Sequence, residues 1–371
     1  MGGNNLFNID FSSLGIAPIQ YINQGGIIEG SGNYILPLGN RALISGGDKA
    51  LTAVWGPLVQ SLERSGISYE KHLFIGECSP ENILIIQKKI KDLNVRVMIG
   101  VGGGKSLDTA KAAAATLRIP VVCIPTIATT CAATTDLSVI YNQKGVFQKA
   151  ISLPKKPNLV IVDPRVIANA PVIYLESGIM DSIAKWFEGN AVYKGIENPD
   201  IYILTAIQLA KLLYKSFRVY ATDAVSLVRQ HKVEEPLIQV IDLILFLTGI
   251  IQGLTKRMLF SGIAHAIHNG LTLLEESHHL LHGIKVGYGI IVQIYIEKYS
   301  EQEFHKILSF LKELNLKPSL KGLNLPCNHD TIMKIAEGAA NDPYIGPVPY
   351  TITKEIIATA IEDLEGKIDH L

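Results

Sequence analysis

The chain has 371 residues, of which 48% are hydrophobic, and its 34 basic residues balance 34 acidic ones. A chain of this length suggests two domains. Because its net charge is zero, the composition does not indicate binding to nucleic acid or to a membrane surface. The four cysteines form no CxxC pair, and the polar amino terminus lacks the basic region of a signal peptide. We therefore expect a protein of the reducing cytoplasm.

Strands and helices alternate in the first half of the chain. Short apolar runs predict strands at residues 41–45, 72–76, 95–101, 121–125 and 159–162. Helical stretches lie between them: one that ends near Arg64, one that starts at Ser79 with proline in its first turn, and an alanine-rich one at residues 106–117. This alternation predicts a parallel sheet with helices on its faces.

The second half carries long runs with helical spacing, at residues 202–217, 236–254 and 304–314. The most apolar stretch predicts a buried helix rather than a membrane span, because four polar residues interrupt it: Gln239, Asp242, Thr248 and Gln252. We predict an α/β Rossmann-like nucleotide-binding domain at residues 1–165 and an all-α domain at 166–371. A cleft between two such domains is a favoured place for a ligand.

A glycine-rich segment, GVGGGKSLD at residues 100–108, joins a predicted strand to a predicted helix. Glycines let a backbone approach a pyrophosphate closely, and a helix N-terminus attracts phosphate. Two familiar motifs do not fit: Ile99 stands where a P-loop needs its first glycine, and Lys105 stands where the dinucleotide fingerprint needs its last. The segment predicts a phosphate site, and a tight turn without a ligand stays open as an alternative.

Five of the ten histidines fall within one short stretch: His265, His268, His278, His279 and His282. Histidine binds divalent metals through a neutral ring nitrogen, and His265 and His268 share one helical face. Because catalytic metals usually take three protein ligands and keep one position open, the cluster predicts a metal site completed by a carboxylate. The alternative is a set of surface histidines around a loop.

Four segments resemble the iron-containing alcohol dehydrogenase superfamily, which includes glycerol dehydrogenase. They are GGGKSLDTAK (102–111), PTIATTCAATTDLSVIY (125–141), GIMDSIAKWFE (178–188) and HAIHNG (265–270) followed by His282-Gly283. The details TCAA, AKWFE and AHAIHNGLT look closest to the branch of bacterial hydroxycarboxylate dehydrogenase, a 2-oxo acid reductase. The resemblance implies a dehydroquinate synthase-like fold, an NAD(P) cofactor, a divalent metal, a small-molecule substrate and a homo-oligomer.

The resemblance also implies roles for individual residues. Asp181, His265 and His282 would be the metal ligands, and His268 would relay protons. The implied cofactor-binding residues are Gly47, Gly102, Gly103, Gly104, Lys105, Ser106, Asp108, Thr126, Thr129, Thr135, Leu137 and Tyr141.

Two positions depart from the family pattern. Lys185 replaces a fourth ligand, a histidine, of the iron-dependent members, which predicts a three-ligand site that favours zinc and leaves iron and other divalent ions open. We expect Lys185 to act in catalysis by holding a substrate carboxylate, and the alternative is a salt bridge to Asp181 or Glu188. Cys131 stands where glycerol dehydrogenase has a substrate-binding aspartate, so an anionic substrate meets less repulsion. The alternative is a small buried core cysteine.

The adenosine end has its own departure at Gly47, where NAD-preferring members hold an acid that binds the ribose. Such an acid would repel a 2′-phosphate. Gly47 with Lys49 nearby leaves room for one, so the sequence slightly favours NADP. Asp48 is the alternative ribose ligand.

These features predict a metal-dependent oxidoreductase that transfers hydride between NAD(P)H and the carbonyl of a small 2-oxo acid or a related alcohol or ketone. One alternative is a glycerol or polyol dehydrogenase. Another is a dehydroquinate synthase-like cyclase, which would need a basic cluster for a sugar phosphate, whereas only Lys256 and Arg257 precede the histidine helix. A third is a nucleotide-binding regulator with a relic metal site.

Overall fold

The computed structural model describes residues 15–255 and 261–368. The polar amino terminus and the pair Lys256 and Arg257, which entered the sequence analysis, lie outside these residues. The described strands are β1 (Gln20–Asn23), β2 (Arg41–Gly46), β3 (Ser68–Leu73), β4 (Val97–Gly102), β5 (Val121–Pro125), β6 (Leu137–Tyr141), β7 (Phe147–Ser152) and β8 (Leu159–Val162). Six of them form one parallel sheet in the order β1-β8-β5-β4-β2-β3, and β6 and β7 form an antiparallel hairpin.

Buried side chains alternate between the two faces of the main sheet, as the two-residue period of a strand requires. Met98 and Cys123 belong to a hydrophobic cluster that continues into the carboxyl-terminal helices. Ile99 and Ile124, their neighbours in the chain, belong to a second cluster on the opposite face. Both faces of the central strands are therefore covered, which is the usual state of a parallel sheet.

Helices make up most of the remaining described chain. They are α1 (Ser31–Ile35), α2 (Asp48–Arg64), α3 (Pro80–Asp92), α4 (Gly104–Leu117), α5 (Pro164–Ala168), α6 (Ile173–Tyr193), α7 (Ile201–Arg229), α8 (Glu235–Asp242), α9 (Thr248–Thr255), α10 (Ile263–Leu271), α11 (His282–Ile296), α12 (Glu301–Glu313), α13 (His329–Ala340) and α14 (Lys354–Ile368). Every described strand precedes Pro164, so we propose a domain boundary near residue 165.

The long apolar helix predicted at 236–254 is present but irregular. A π-helical segment, Leu243–Leu247, joins α8 to α9. The whole run from Glu235 to Thr255 is apolar and long enough to cross a membrane, yet 56% of its most apolar 18-residue stretch is buried inside the protein. A core helix of a folded domain has the same properties.

The strand predicted at residues 72–76 was misplaced, because only its first two residues belong to the actual strand. The actual strand, β3, spans Ser68–Leu73 and lies at the edge of the sheet with mostly exposed side chains. It lacks the apolar run that identifies a buried strand, so the prediction took the apolar residues that follow it. The same reason explains why β1 and the mostly exposed strand β7 were not predicted.

The sheet order creates a switch point between β2 and β4. The chain leaves β2 toward β3 on one side and leaves β4 toward β5 on the other. Ligands of open parallel sheets bind where neighbouring strands diverge in this way, beyond their carboxyl ends. Gly47 follows β2 and Gly103 follows β4, so the structure brings the two predicted glycine positions to one edge.

Candidate metal and nucleotide site

A cavity of about 1370 Å³ extends from the glycine positions at the sheet edge to the carboxyl-terminal helices. All predicted site residues line it except His268. Its lining at the sheet edge includes Gly47, Asp48 and Lys49. Its lining on the carboxyl-terminal helices includes Asp181, His265 and His282. One cavity therefore connects the glycine positions with the cluster of Asp181, His265 and His282.

The glycine loop has a backbone that only glycine adopts easily. Gly102 has a φ of +131°, in the left-handed region that disfavours side chains. A Cβ atom on Gly103 would lie 2.7 Å from Cδ1 of Ile127. Helix α4 starts directly behind at Gly104, so its free N–H groups border the cavity. This cradle fits a phosphate group.

Two polar residues of the loop have partners within the protein. The Ser106 hydroxyl donates to the carbonyl oxygen of Val101 at 2.9 Å, which closes the turn. The Lys105 ammonium pairs with Glu77. The loop therefore offers a phosphate group its backbone N–H groups rather than these two side chains.

Asp108 and Lys111 form a buried ion pair at 2.9 Å that organises the cavity wall. The Lys111 ammonium donates to the carbonyl oxygens of Ala132, Thr135 and Leu137. The second carboxylate oxygen of Asp108 accepts from the backbone N–H of Val139 at 2.9 Å. Asp108 lines the cavity, but its hydrogen bonds hold the segment in which the predicted cofactor residues Thr135 and Leu137 lie.

Three predicted metal ligands meet at one point, although they come from three helices. Asp181 lies on α6, His265 on α10 and His282 at the start of α11. Nε2 of His265 lies 3.4 Å and Nε2 of His282 lies 3.2 Å from the same Asp181 oxygen. All three ligand atoms fall within 4.8 Å of one another. Two imidazoles and one carboxylate are a donor set that fits a divalent metal with an open position.

Glu188 orients the first histidine ligand. One of its oxygens accepts from Nδ1 of His265 at 2.7 Å, and the other accepts from the backbone N–H groups of Gly262 and His265. Nε2 of His265 is thereby left to face the cluster, as in many metal sites. Burial alone would raise the pKa of Glu188, but His265 holds this pKa below its usual value. Glu188, a candidate partner of Lys185 in the sequence, thus orients a candidate metal ligand.

A chain of hydrogen bonds orients the second histidine ligand. Nδ1 of His282 lies 2.9 Å from Nε2 of His268, and Nδ1 of His268 lies 2.8 Å from Oδ1 of Asn269. The Asn269 amide donates to Asp342 at 2.6 Å. With the Asn269 oxygen as acceptor, each imidazole donates from Nδ1, and Nε2 of His282 stays available for a metal. His268 therefore lies behind His282 rather than in the cavity.

Lys185 and Cys131 border the cavity close to the metal ligands. Burial opposes the ionisation of Asp181 and Glu188, but the neighbouring histidines and then the charge of Lys185, which is 2% exposed, lower the pKa values of both carboxyl groups. Burial raises the pKa of the Cys131 thiol to about 11, so it stays protonated at neutral pH. Its sulfur lies 3.3 Å from Oε1 of Gln252.

Several lining residues were not predicted from the sequence. Gln252 had one visible signal, since it interrupts an apolar run. Tyr344 had none, because it lies in a short 3-10 turn capped by Asp342. The centroid of its ring lies 6.3 Å from the centroid of the His265 ring. Arg165 also lines the cavity, and it pairs with Asp163 and Glu29, each at 2.8 Å.

Gly47 lies at the edge of the cavity, just before α2. It precedes α2 in an extended conformation, and a Cβ atom there would meet nothing within 4 Å. Neighbouring Asp48 and Lys49 line the same end of the cavity. The space that a side chain would fill is therefore open.

Comparison with known proteins agrees with this geometry. A family model described as iron-containing alcohol dehydrogenase matches residues 18–164. The glycerol dehydrogenase of Citrobacter freundii is 32% identical over 360 residues, which cover 95% of this chain and 97% of the relative. The hydroxycarboxylate dehydrogenase A of Escherichia coli K12 is 32% identical over 330 residues, which cover 88% and 90%. The solved structure of glycerol dehydrogenase from Schizosaccharomyces pombe has a TM-score of 0.88 at 28% identity, covering 96% of this chain and 91% of that one.

The chain therefore belongs to the iron-containing alcohol dehydrogenase superfamily, among the relatives of glycerol dehydrogenase. The fold and the superfamily predicted from the four segments are confirmed. Membership makes the protein an oxidoreductase of a metal-dependent alcohol and polyol dehydrogenase family that acts on small molecules with NAD(P). The two relatives share the same 32% identity with this chain, so identity does not choose between a polyol and a hydroxy acid.

Proposed function

We propose that the protein reduces the carbonyl group of small 2-oxo acids with NAD(P)H at a metal held by Asp181, His265 and His282. The observation that carries this proposal is the shared cavity: the glycine cradle, the three-ligand cluster and Lys185 all line it. When bound, the metal supplies a Lewis acid for the substrate oxygen and the reduced nicotinamide supplies a hydride.

The residues of the chain position these groups. Gly103 and the N-terminus of α4 receive the pyrophosphate, while Thr126, Thr129 and Tyr141 line the path toward the metal ligands. Glu188 and His268 fix the two imidazole rings, which keeps the ligand nitrogens in place before a metal arrives. The location of His268 behind His282 favours this positioning role over direct proton transfer to a substrate.

The charge near the metal ligands supports an anionic substrate. Lys185 brings an ammonium group one helical turn from Asp181, and Cys131 brings a neutral thiol where an aspartate would repel a carboxylate. Lys185 can hold a substrate carboxylate by a charge-assisted hydrogen bond. The relative named hydroxycarboxylate dehydrogenase A agrees with this substrate class. The relatives named glycerol dehydrogenase keep polyol oxidation as the second candidate.

We further propose zinc as the metal and NADP as the slightly favoured cofactor. Zinc suits three protein ligands with an open position, and Lys185 occupies the place of a fourth ligand. The open space at Gly47 leaves room for a 2′-phosphate beside Lys49. A homo-oligomer remains an expectation from the resemblance, which size-exclusion chromatography with light scattering would test.

One experiment tests these proposals together. The metal content of the purified protein is measured, and oxidation of NADH and NADPH is followed with 2-oxo acids, aldehydes and ketones, and in reverse with glycerol. We expect one divalent ion per chain and the highest kcat/KM with a 2-oxo acid. Full turnover after exhaustive chelation would contradict the metal site, and a preference for glycerol and dihydroxyacetone would contradict the substrate class.

A further inference from the structure

Gln252 is a partly buried polar side chain in the cavity, and the proposed function alone assigns it no role. It lies on α9, one turn after Gly249, in the helix that contains the π-helical segment Leu243–Leu247. Such segments add a residue to one helical turn, so they change the direction in which the following side chains point, and they are frequent at functional sites.

Close packing fixes α9 against the turn that carries Cys131. A Cβ atom on Gly249 would lie 2.2 Å from Oγ1 of Thr134, so only glycine allows this approach. The Thr134 hydroxyl donates to the carbonyl oxygen of Leu245, inside the π-helical segment. The position of Gln252 beside Cys131 therefore follows from two contacts of its own helix with that turn.

The contact between Cys131 and Gln252 determines which end of the amide faces the substrate. A protonated thiol donates, so the Gln252 atom 3.3 Å from the sulfur is the amide oxygen. This assignment leaves the amide nitrogen as the group for a ligand, and within residues 15–255 and 261–368 no partner accepts from it. The Lys185 ammonium, which lines the same region, also has donors only.

We propose that Gln252 is a specificity-determining residue whose amide nitrogen donates to a carboxylate oxygen of the substrate. This inference rests on the proposed function and adds a reason for the choice of substrate. A carboxylate offers acceptors to both Gln252 and Lys185. A polyol hydroxyl would accept as well, but its own proton would find no acceptor on either side chain, because the Gln252 oxygen faces the Cys131 sulfur and the Lys185 ammonium has donors only. An unpaired buried polar group is the strongest source of discrimination between similar substrates.

The test compares two carbonyl substrates in the same direction of reaction, 2-oxobutyrate and the neutral dihydroxyacetone. Gln252→Glu replaces the donor by a carboxylate of the same shape, and Gln252→Leu removes the donor without adding charge. We expect the ratio of kcat/KM for 2-oxobutyrate over dihydroxyacetone to fall about 10-fold or more in both variants, the range of a hydrogen bond to a charged group. Gln239→Glu is the matched control, because Gln239 lies on the same helical run outside the cavity.

A variant at Cys131 provides a check in which Gln252 itself is unchanged. Cys131→Ala releases the amide oxygen of Gln252, so the amide can turn and present an acceptor. We expect the same ratio to fall in this variant because dihydroxyacetone gains a partner. Binding of oxamate, a non-reacting analogue of a 2-oxo acid, supplies a readout without turnover: its dissociation constant from the metal-loaded protein should rise about 10-fold in Gln252→Leu.

The outcomes separate the inference from the proposed function. A wild-type protein that prefers dihydroxyacetone overturns the proposed substrate class. A wild-type protein that prefers 2-oxobutyrate, together with unchanged ratios and unchanged oxamate binding in both Gln252 variants, overturns the role of Gln252 alone. A fall in the ratio that Gln239→Glu does not share supports the role.

Discussion

The rings of His282 and His268 meet at an angle of 64°, with Nδ1 of the first 2.9 Å from Nε2 of the second. The second histidine in turn contacts Asn269, whose amide reaches Asp342. This arrangement holds a proposed metal ligand in one tautomer without a metal. A residue that does not touch the cavity can therefore control how tightly a metal binds.

His268→Ala should weaken metal binding about 10- to 100-fold, the usual effect of removing a group that orients a ligand. The measurement is competition with a chelator of known affinity. His279→Ala is the control, since His279 is exposed and lies outside the ligand cluster. Equal affinities of the wild type and His268→Ala would show that His282 needs no support.

His265→Ala and His282→Ala should each lower bound metal and abolish turnover while the fold survives, because each removes one of three ligand atoms. Metal analysis, carbonyl reduction and circular dichroism provide the three readings. Full turnover in either variant would show that the substituted histidine is not a required metal ligand.

Gly47→Asp should shift cofactor preference toward NADH. The new carboxylate has room, and it would repel a 2′-phosphate by about 1 kcal/mol or more at close range. The measurement is the ratio of kcat/KM for NADPH over NADH, which should fall about fivefold or more at this energy. Gly56→Asp adds the same charge to the same helix, at an exposed site outside the cavity. A wild-type protein strongly selective for NADH would mean that Asp48 or another group binds the ribose.

Lys185→Ala should raise the KM for 2-oxo acids more than the KM for neutral aldehydes. The ammonium that the substrate carboxylate is proposed to contact would be lost, whereas an aldehyde has no such partner. Metal content is measured alongside, because Lys185 also stabilises the charged forms of Asp181 and Glu188. An equal loss on both substrate types would make Lys185 structural.

Lys111→Met should destabilise the protein by about 3–5 kcal/mol, because a buried carboxylate and several carbonyl groups lose their partner. Urea unfolding measures this loss, and Lys88→Met, at an exposed position of α3, is the control. Adding Asp108→Asn to Lys111→Met should recover part of the stability, since it removes the uncompensated charge. A single variant as stable as the wild type would exclude this role of the ion pair.

The sequence predicted those features of the fold and of the proposed site that are carried by residues close together in the chain. Strand β5 and strand β8 have the predicted bounds because each is a short apolar run between turns. The histidine ligands of the proposed site stood out because His265 and His282 lie within one stretch of the chain. The edge strand β3 was misplaced because a solvated strand carries no apolar signal.

Sequence patterns could not predict hydrogen-bonded pairs whose members are far apart in the chain and meet only in the folded protein. Asn269 and Asp342 lie 73 residues apart, and Cys131 and Gln252 lie 121 residues apart. No spacing rule connects such pairs. Spacing on α6 indicated Glu188 as a candidate partner of Lys185, but it gave no sign that Glu188 also accepts hydrogen bonds from α10.

The hydrophobic cluster that includes Met98 and Cys123 in the sheet also includes Ile183 and Ile267 in the helices. The proposed boundary near residue 165 therefore divides the chain but not this hydrophobic cluster. Heating should produce one transition rather than two, and each half expressed alone would expose the apolar surface that the other half covers. A metal bound at the three helices would then stabilise the nucleotide-binding sheet as well, because both unfold together.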